Sequence, residues 1–152
     1  MFKFRNFIMN NFVKYFFASL LINLFSSLAV AHGDVQPQPV DTTGLEDLGD
    51  DWLARNPYSG NETAIKIGSS AYNQNCARCH GLGGISGGIA PDLRYLEHTA
   101  DGDEWYVYRV RNGAVRNGVT YMPHFAESDG GPLSQEALWA IRAWLETVDT
   151  EE

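Results

Sequence analysis

Apolar positions recur at helical spacing in three stretches of this chain. Between residues 61 and 75, Ala64, Ile67, Gly68, Ala71 and Tyr72 fall on one face. Asn61 can cap that helix, and Glu62 sits favourably in its first turn. Gly68 in mid-helix costs roughly 1 kcal/mol against Ala, a penalty that the close approach of a second helix would justify. Gly68, Tyr72 and Cys76 follow one another at intervals of four and share a face. A second helix is expected from Asp101 to Asn112, started by Asp101 or Asp103, with Arg109 and Arg111 in its last turn and Gly113 as its stop. Its Trp105, Val107, Tyr108 and Val110 offer surface for core and haem-pocket packing. The last helix runs from about Gln135 to Val148, capped by Ser134, with Leu138, Ile141, Leu145 and Val148 as an amphipathic stripe. No β-strand pattern and no internal repeat stands out, so the chain reads as all-α.

The stretches between these helices differ in character. Residues 32–60 hold Pro37, Pro39 and Pro57 and the acids Glu46, Asp47, Asp50 and Asp51, and read as an arm that cannot build a core. Leu45, Leu48, Trp52 and Leu53 fall at helix-like spacing, so part of the arm can lie on the domain as a short helix. Residues 81–88 contain five glycines, but no Lys-Ser/Thr pair follows, and a phosphate loop is not indicated. Residues 113–125 read as a loop.

The first residues have the pattern of an export signal. Lys3, Arg5 and Lys14 precede an apolar run, Tyr15 to Leu28, and Ala29-Val30-Ala31 fits a small-x-small cleavage site. Residues 1–31 are therefore expected to be removed. The run is short for a membrane span, and no later stretch is long or apolar enough for one. The signal carries three of the eleven basic residues and none of the nineteen acidic ones, so the remaining 121 residues carry a formal charge of −11. Such a charge disfavours nucleic acid and anionic membrane surfaces, and favours a partner with a basic patch. One small acidic domain, 61–152, suggests a monomer.

Both cysteines lie in Cys76-Ala77-Arg78-Cys79-His80. C-x-x-C-H is the attachment signature of c-type haem. Cysteines three apart at the end of a helix point to one side, where both sulfurs can form thioethers to one porphyrin. His80 then lies under the iron and supplies one axial ligand. A redox dithiol would need a βαβ context, and a four-ligand zinc site more cysteines. For the second axial position, Met122 is the only methionine beyond residue 31, in a turn beside Pro123. His124 is its rival, with His98 and His32 less well placed; an open iron would mean catalysis or gas binding. The other ring nitrogen of His80 needs a partner, for which the Pro91 carbonyl is the candidate. Arg94, Arg109, Arg111, Arg116 and Tyr121 are available to the haem propionates.

Residues 61–148 resemble the class I c-type cytochromes. The resemblance is carried by Gly68-x-x-x-Tyr72-x-x-x-Cys76-x-x-Cys79-His80, then Pro91-x-Leu93, then Tyr121-Met122-Pro123 and the aromatic last helix with Trp144. It implies three to four helices packed around one covalently attached haem, with the first and last helices crossing at Gly68. It also implies Pro91 behind His80 and Met122 as sixth ligand. A closer likeness, over nearly the whole chain beyond residue 31, runs through Pro37–Trp52, Asn73–His80, Ile85–Leu96, Gly113–Gly118 and Leu138–Leu145. These segments are similar to the periplasmic cytochromes c of bacterial alcohol oxidation. That likeness implies electrons accepted from a PQQ-dependent (quinoprotein) alcohol dehydrogenase and passed to a terminal oxidase. The function expected is a periplasmic one-electron carrier rather than an enzyme; the alternative is a peroxidase-like enzyme or a gas-binding module with a displaceable ligand.

With no cysteine left for a disulfide, the haem takes over both stapling and core filling in a small domain. A Cys76→Ala/Cys79→Ala variant lacking haem is expected to be poorly folded. A cooperative, native-like melt of that variant would contradict this.

Overall fold

The first expected helix forms over Glu62–Asn75 (α1), with the Asn61 side chain accepting from the Ala64 amide at 3.0 Å. In this computed structural model, which describes residues 36–148 and Thr150, three more helices follow. They are α2 (Ala77–His80), α3 (Ala100–Asn112) and α4 (Gln135–Leu145), joined by single 3₁₀ turns at Leu82–Gly84, Leu93–Tyr95 and Glu127–Asp129. The export segment expected over residues 1–31 lies outside the described residues.

The last helix is the centre of the core. Ser134 caps it as expected, accepting from the Ala137 amide at 3.2 Å. Ala137, Leu138, Trp139, Ala140, Ile141, Ala143 and Leu145 are all buried, so α4 is covered on nearly every side rather than along one stripe. It ends at Leu145, and Thr147 and Val148 continue as turn, their amides donating to Trp144 and Leu145. Helix α1 crosses it at Gly68, where a Cβ would stand 1.9 Å from the Ala140 carbonyl oxygen. One turn further on, the Tyr72 and Trp144 rings lie 4.4 Å apart between centroids, tilted by 39°.

Helix α3 presents a different face from the expected one. It is capped by Thr99, not by an aspartate, and Asp103, Tyr106 and Val110 form its buried stripe. Trp105 and Tyr108 fall on the opposite side and are exposed, with the Arg109 guanidinium 5.5 Å from each ring. A stripe that includes an aspartate cannot be recognised from hydropathy. Its charge is matched by Arg142, fully buried on α4, whose Nε lies 2.8 Å from Asp103 Oδ1. Arg142 Nη2 also donates to the Glu97 carbonyl at 2.6 Å, and the Asn56 amide donates to Asp103 Oδ2 at 3.1 Å. A buried charge is tolerated when paired and hydrogen-bonded in this way.

The chain is not all-α. Ala114–Arg116 (β1) pairs antiparallel with Val119–Met122 (β2), across the loop expected over 113–125. The cause is Asn117-Gly118, with φ of +51° and +75°, a two-residue turn that suits the twist of a hairpin. The register shifts between Ala114 and Val115, so that Val115 faces Thr120 and Ala114 faces Met122, leaving Tyr121 as an extra residue. Such a bulge re-aims the side chains beside it.

Residues 36–60 form no helix. Asp41 and Asp47 side chains accept from the amides of Thr43 and Gly49 at 2.9 and 2.7 Å, and Gly44 and Gly49 have positive φ. Local aspartate turns thus outcompete the helical spacing of the apolar residues. Leu45, Leu48 and Trp52 still pack against the core, and Tyr58 is buried. Side chains of α4 hold the arm's backbone: Glu136 accepts from the Leu48 amide at 2.9 Å and Gln135 from the Leu53 amide at 2.7 Å.

Replacing Gly68 by Ala would relieve a helix of its weakest residue, yet the Ala140 carbonyl leaves no room. Overpacking of roughly 1–3 kcal/mol should outweigh the roughly 1 kcal/mol of propensity gained. The melting temperature of holo Gly68→Ala is expected to fall; an unchanged or higher value would show that the crossing can open freely.

Candidate haem site

Helix α1 runs into the cysteine segment. Cys76 closes α1, its amide donating to the Tyr72 carbonyl at 2.8 Å, and its own carbonyl accepts from Cys79 and His80 at 3.1 and 2.9 Å. The short α2 that results places both thiols within one turn, unbridged and partly exposed. Burial, with a smaller contribution from Cys79, pushes the Cys76 thiol up to about 12.

His80 ends α2. Its Nδ1 lies 2.8 Å from the Pro91 carbonyl oxygen, the contact anticipated from sequence. A carbonyl can only accept, so Nδ1 carries the proton and Nε2 keeps its lone pair for a metal. The loop that brings Pro91 there turns at Gly81, where φ is +81° and a Cβ would meet the Ile85 carbonyl at 1.8 Å. The Tyr72 hydroxyl donates to the Gly81 carbonyl at 2.7 Å and ties the turn back to α1. At the other end Asp92 accepts from the Ser86 and Arg94 amides at 3.2 and 3.1 Å and pairs with the Arg94 guanidinium at 3.0 Å. Hydrogen bonding from Arg94 lowers the Asp92 carboxyl to about 2. This clamp was not foreseen, although Asp-x-Arg beside the proline is visible in the sequence.

Met122 is partly buried at the end of β2 and packs against the core. Gly113 permits this: its φ is +63°, and a Cβ there would stand 2.3 Å from the Met122 carbonyl oxygen. The residues after Met122 are pinned to the end of α3. His124 Nδ1 lies 2.6 Å from the Arg111 carbonyl oxygen, and the Phe125 amide donates to Val110 at 2.9 Å. His124 and His98 are exposed, and His32 lies outside the described residues. Of the propionate candidates, Arg94 is engaged by Asp92, Arg111 by Asp129, and Arg109 by Trp105 and Tyr108; Arg116 lies 6.0 Å from the Tyr121 ring centroid.

The residues present fit a haem. Ten large apolar residues are exposed among the described residues, and seven belong to the segments that follow His80 and precede Met122: Leu82, Ile85, Ile89 and Tyr95, then Val115, Val119 and Tyr121. Uncovered apolar surface on this scale calls for a partner, and a porphyrin supplies a large apolar plate. Among the described residues, no three His, Cys, Asp or Glu side chains converge as a metal site.

Two thiols one turn apart, an oriented imidazole and bare apolar walls define a class I c-type cytochrome. Residues 63–145 match the family described as cytochrome c oxidase, cbb3-type, subunit III, and the chain belongs to this cytochrome c family and carries covalent haem c. It is 60% identical to cytochrome c550 of Pseudomonas aeruginosa over 131 residues, covering 84% of this chain and 88% of that one. It is also similar to two proteins of Pseudomonas putida, quinohemoprotein alcohol dehydrogenase ADH-IIG and quinohemoprotein alcohol dehydrogenase ADH IIB. The identities are 37% over 47% of this chain and 45% over 63%, and the matched parts are 10% and 13% of those longer proteins. No solved structure matches. The chain is an electron-carrying cytochrome.

Proposed function

We propose that this cytochrome is a periplasmic one-electron carrier between a PQQ-dependent alcohol dehydrogenase and a terminal oxidase. Cys76 and Cys79 would hold the haem through thioethers, His80 and Met122 would ligate its iron, and Pro91, Tyr121 and Arg94 would border it. The observation that carries the reading is the His80–Pro91 hydrogen bond, which leaves a single imidazole nitrogen available in a fixed orientation. The bound haem supplies one-electron exchange at its iron. The chain's own contribution is to hold both ligands still. The Tyr72–Gly81 and Asp92–Arg94 contacts support the His80 side, and the hairpin and its pinned exit support the Met122 side. Two protein ligands leave no vacant position for a substrate, and a thioether ligand raises the potential relative to a second imidazole. His124, tied to the Arg111 carbonyl, serves the backbone rather than acid–base chemistry on this reading, which favours a carrier over an enzyme or gas sensor.

Residues 1–31 are the export signal in this account, 32–60 the acidic arm and 61–152 the cytochrome domain, acting as a monomer. The likeness to parts of two proteins named quinohemoprotein alcohol dehydrogenase supports the donor. Here the cytochrome would meet its dehydrogenase by diffusion, with the −11 charge of residues 32–152 steering the encounter.

Stopped-flow reduction of the ferric holo-protein by a quinoprotein alcohol dehydrogenase and its alcohol tests this. Reduction is expected to be fast, and to slow severalfold as the Debye length shrinks from about 30 Å at 0.01 M salt to about 8 Å at 0.15 M. Absence of reduction would discard the donor, and a salt-independent rate would remove the steering.

A further inference from the structure

The arm and the segment after Met122 meet at one turn of α3. That segment is pinned to the carbonyls of Val110 and Arg111, at 2.9 and 2.6 Å. The Arg111 side chain leaves the same turn and pairs with Asp129, Nε to Oδ2 at 2.8 Å. The Trp52 ring of the arm covers the guanidinium, 5.1 Å from its carbon to the ring centroid. Trp52 Nε1 donates to Ser128 Oγ at 3.1 Å, and Ser128 donates to Asp129 Oδ2 at 2.8 Å. Four side chains thus close a ring: Trp52, Arg111, Asp129 and Ser128. An ion pair as exposed as Arg111–Asp129 contributes little on its own. With an indole over one side and a hydroxyl bracing the carboxylate, the guanidinium is confined, and with it the turn that bears the Val110 and Arg111 carbonyls.

We propose that Trp52 is a positioning residue for the sixth haem ligand. By closing this ring from outside the domain, it determines how firmly the Met122 segment is held, and so how often Met122 leaves the iron. The proposal rests on the reading of Met122 as that ligand. It gives the arm a role in the electron-transfer site without any contact to the ligand itself.

Cyanide measures the effect in the ferric holo-protein, because it binds only where the methionine is off. Its apparent affinity scales with that open fraction. Losing one cation–π contact and one hydrogen bond, both at the low end of their usual range, corresponds to roughly a five- to tenfold change in such a population. Trp52→Ala is expected to bind cyanide more tightly by roughly this factor and to weaken the far-red absorption band from methionine to ferric iron. Leu48→Ala removes an arm residue that packs on the core but belongs to none of the four contacts. It is expected to lower the melting temperature and leave cyanide affinity as in the wild type. Trp52→Phe removes the hydrogen bond to Ser128 while keeping an aromatic ring to lie over Arg111, and Ser128→Ala removes that bond together with the brace on Asp129; both should show a smaller rise of the same sign. They carry the test if Trp52→Ala does not fold.

Unchanged cyanide affinity in the Trp52 and Ser128 variants would overturn the proposal. So would an equal rise in Leu48→Ala, which would mark a general loosening. Met122→Ala separates the two readings. If the far-red band survives in that variant, Met122 is not the ligand and the site assignment fails first. If the band is lost there while Trp52→Ala behaves as wild type, the assignment stands and only the role of Trp52 falls.

Discussion

Backbone contact between α1 and α4 at Gly68 is the constraint on which the rest of this molecule depends. A Cβ at position 68 would stand 1.9 Å from the Ala140 carbonyl oxygen, so the two helices can approach this closely only where α1 carries a glycine. The crossing sets where α1 ends, two turns later, and hence where Cys76, Cys79 and His80 begin. Tyr72, one turn past Gly68, uses both parts of its side chain at this junction. Its ring packs on Trp144 of α4, and its hydroxyl holds the Gly81 turn beneath His80. A small core therefore transmits its packing directly into the orientation of one imidazole.

The opposite side of the site is built by different means. The Met122 segment has no helix behind it, only a short hairpin, a bulge at Tyr121 and hydrogen bonds to the last carbonyls of α3. Elements with few buried contacts open most readily. On the proposed reading of Met122 as a ligand, such a segment needs external support, which the ring around Arg111 and the acidic arm can provide. The buried Asp103–Arg142 pair does similar work deeper in the fold, joining α3, α4, the Glu97 carbonyl and the Asn56 amide of the arm. Removing one partner of a charge pair so enclosed would leave the other buried and uncompensated.

Much of this was legible in the chain. The caps at Asn61 and Ser134, the crossing glycine and the proline carbonyl behind His80 each have a local chemical cause that a sequence displays. What was missed depended on competition between signals. Asn117-Gly118 specified a hairpin in a stretch too short to show alternation. Asp103 was read as a helix start because its buried partner lies 39 residues away. Aromatic character marks Trp105 and Tyr108 for core or haem-pocket packing, whereas the face of α3 buried in the core is set by Asp103, Tyr106 and Val110. The arm's helical spacing yielded to two aspartate turns.

The central claim is that the iron is held by His80 and Met122. Proton NMR of the reduced holo-protein tests it without altering any residue. The Met122 methyl group is predicted far upfield of ordinary methionine methyls, displaced by the ring current of the porphyrin above which it would sit. A Met122 methyl at its ordinary position, with the ring protons of His124 displaced instead, would contradict the account and make the iron a bis-histidine centre.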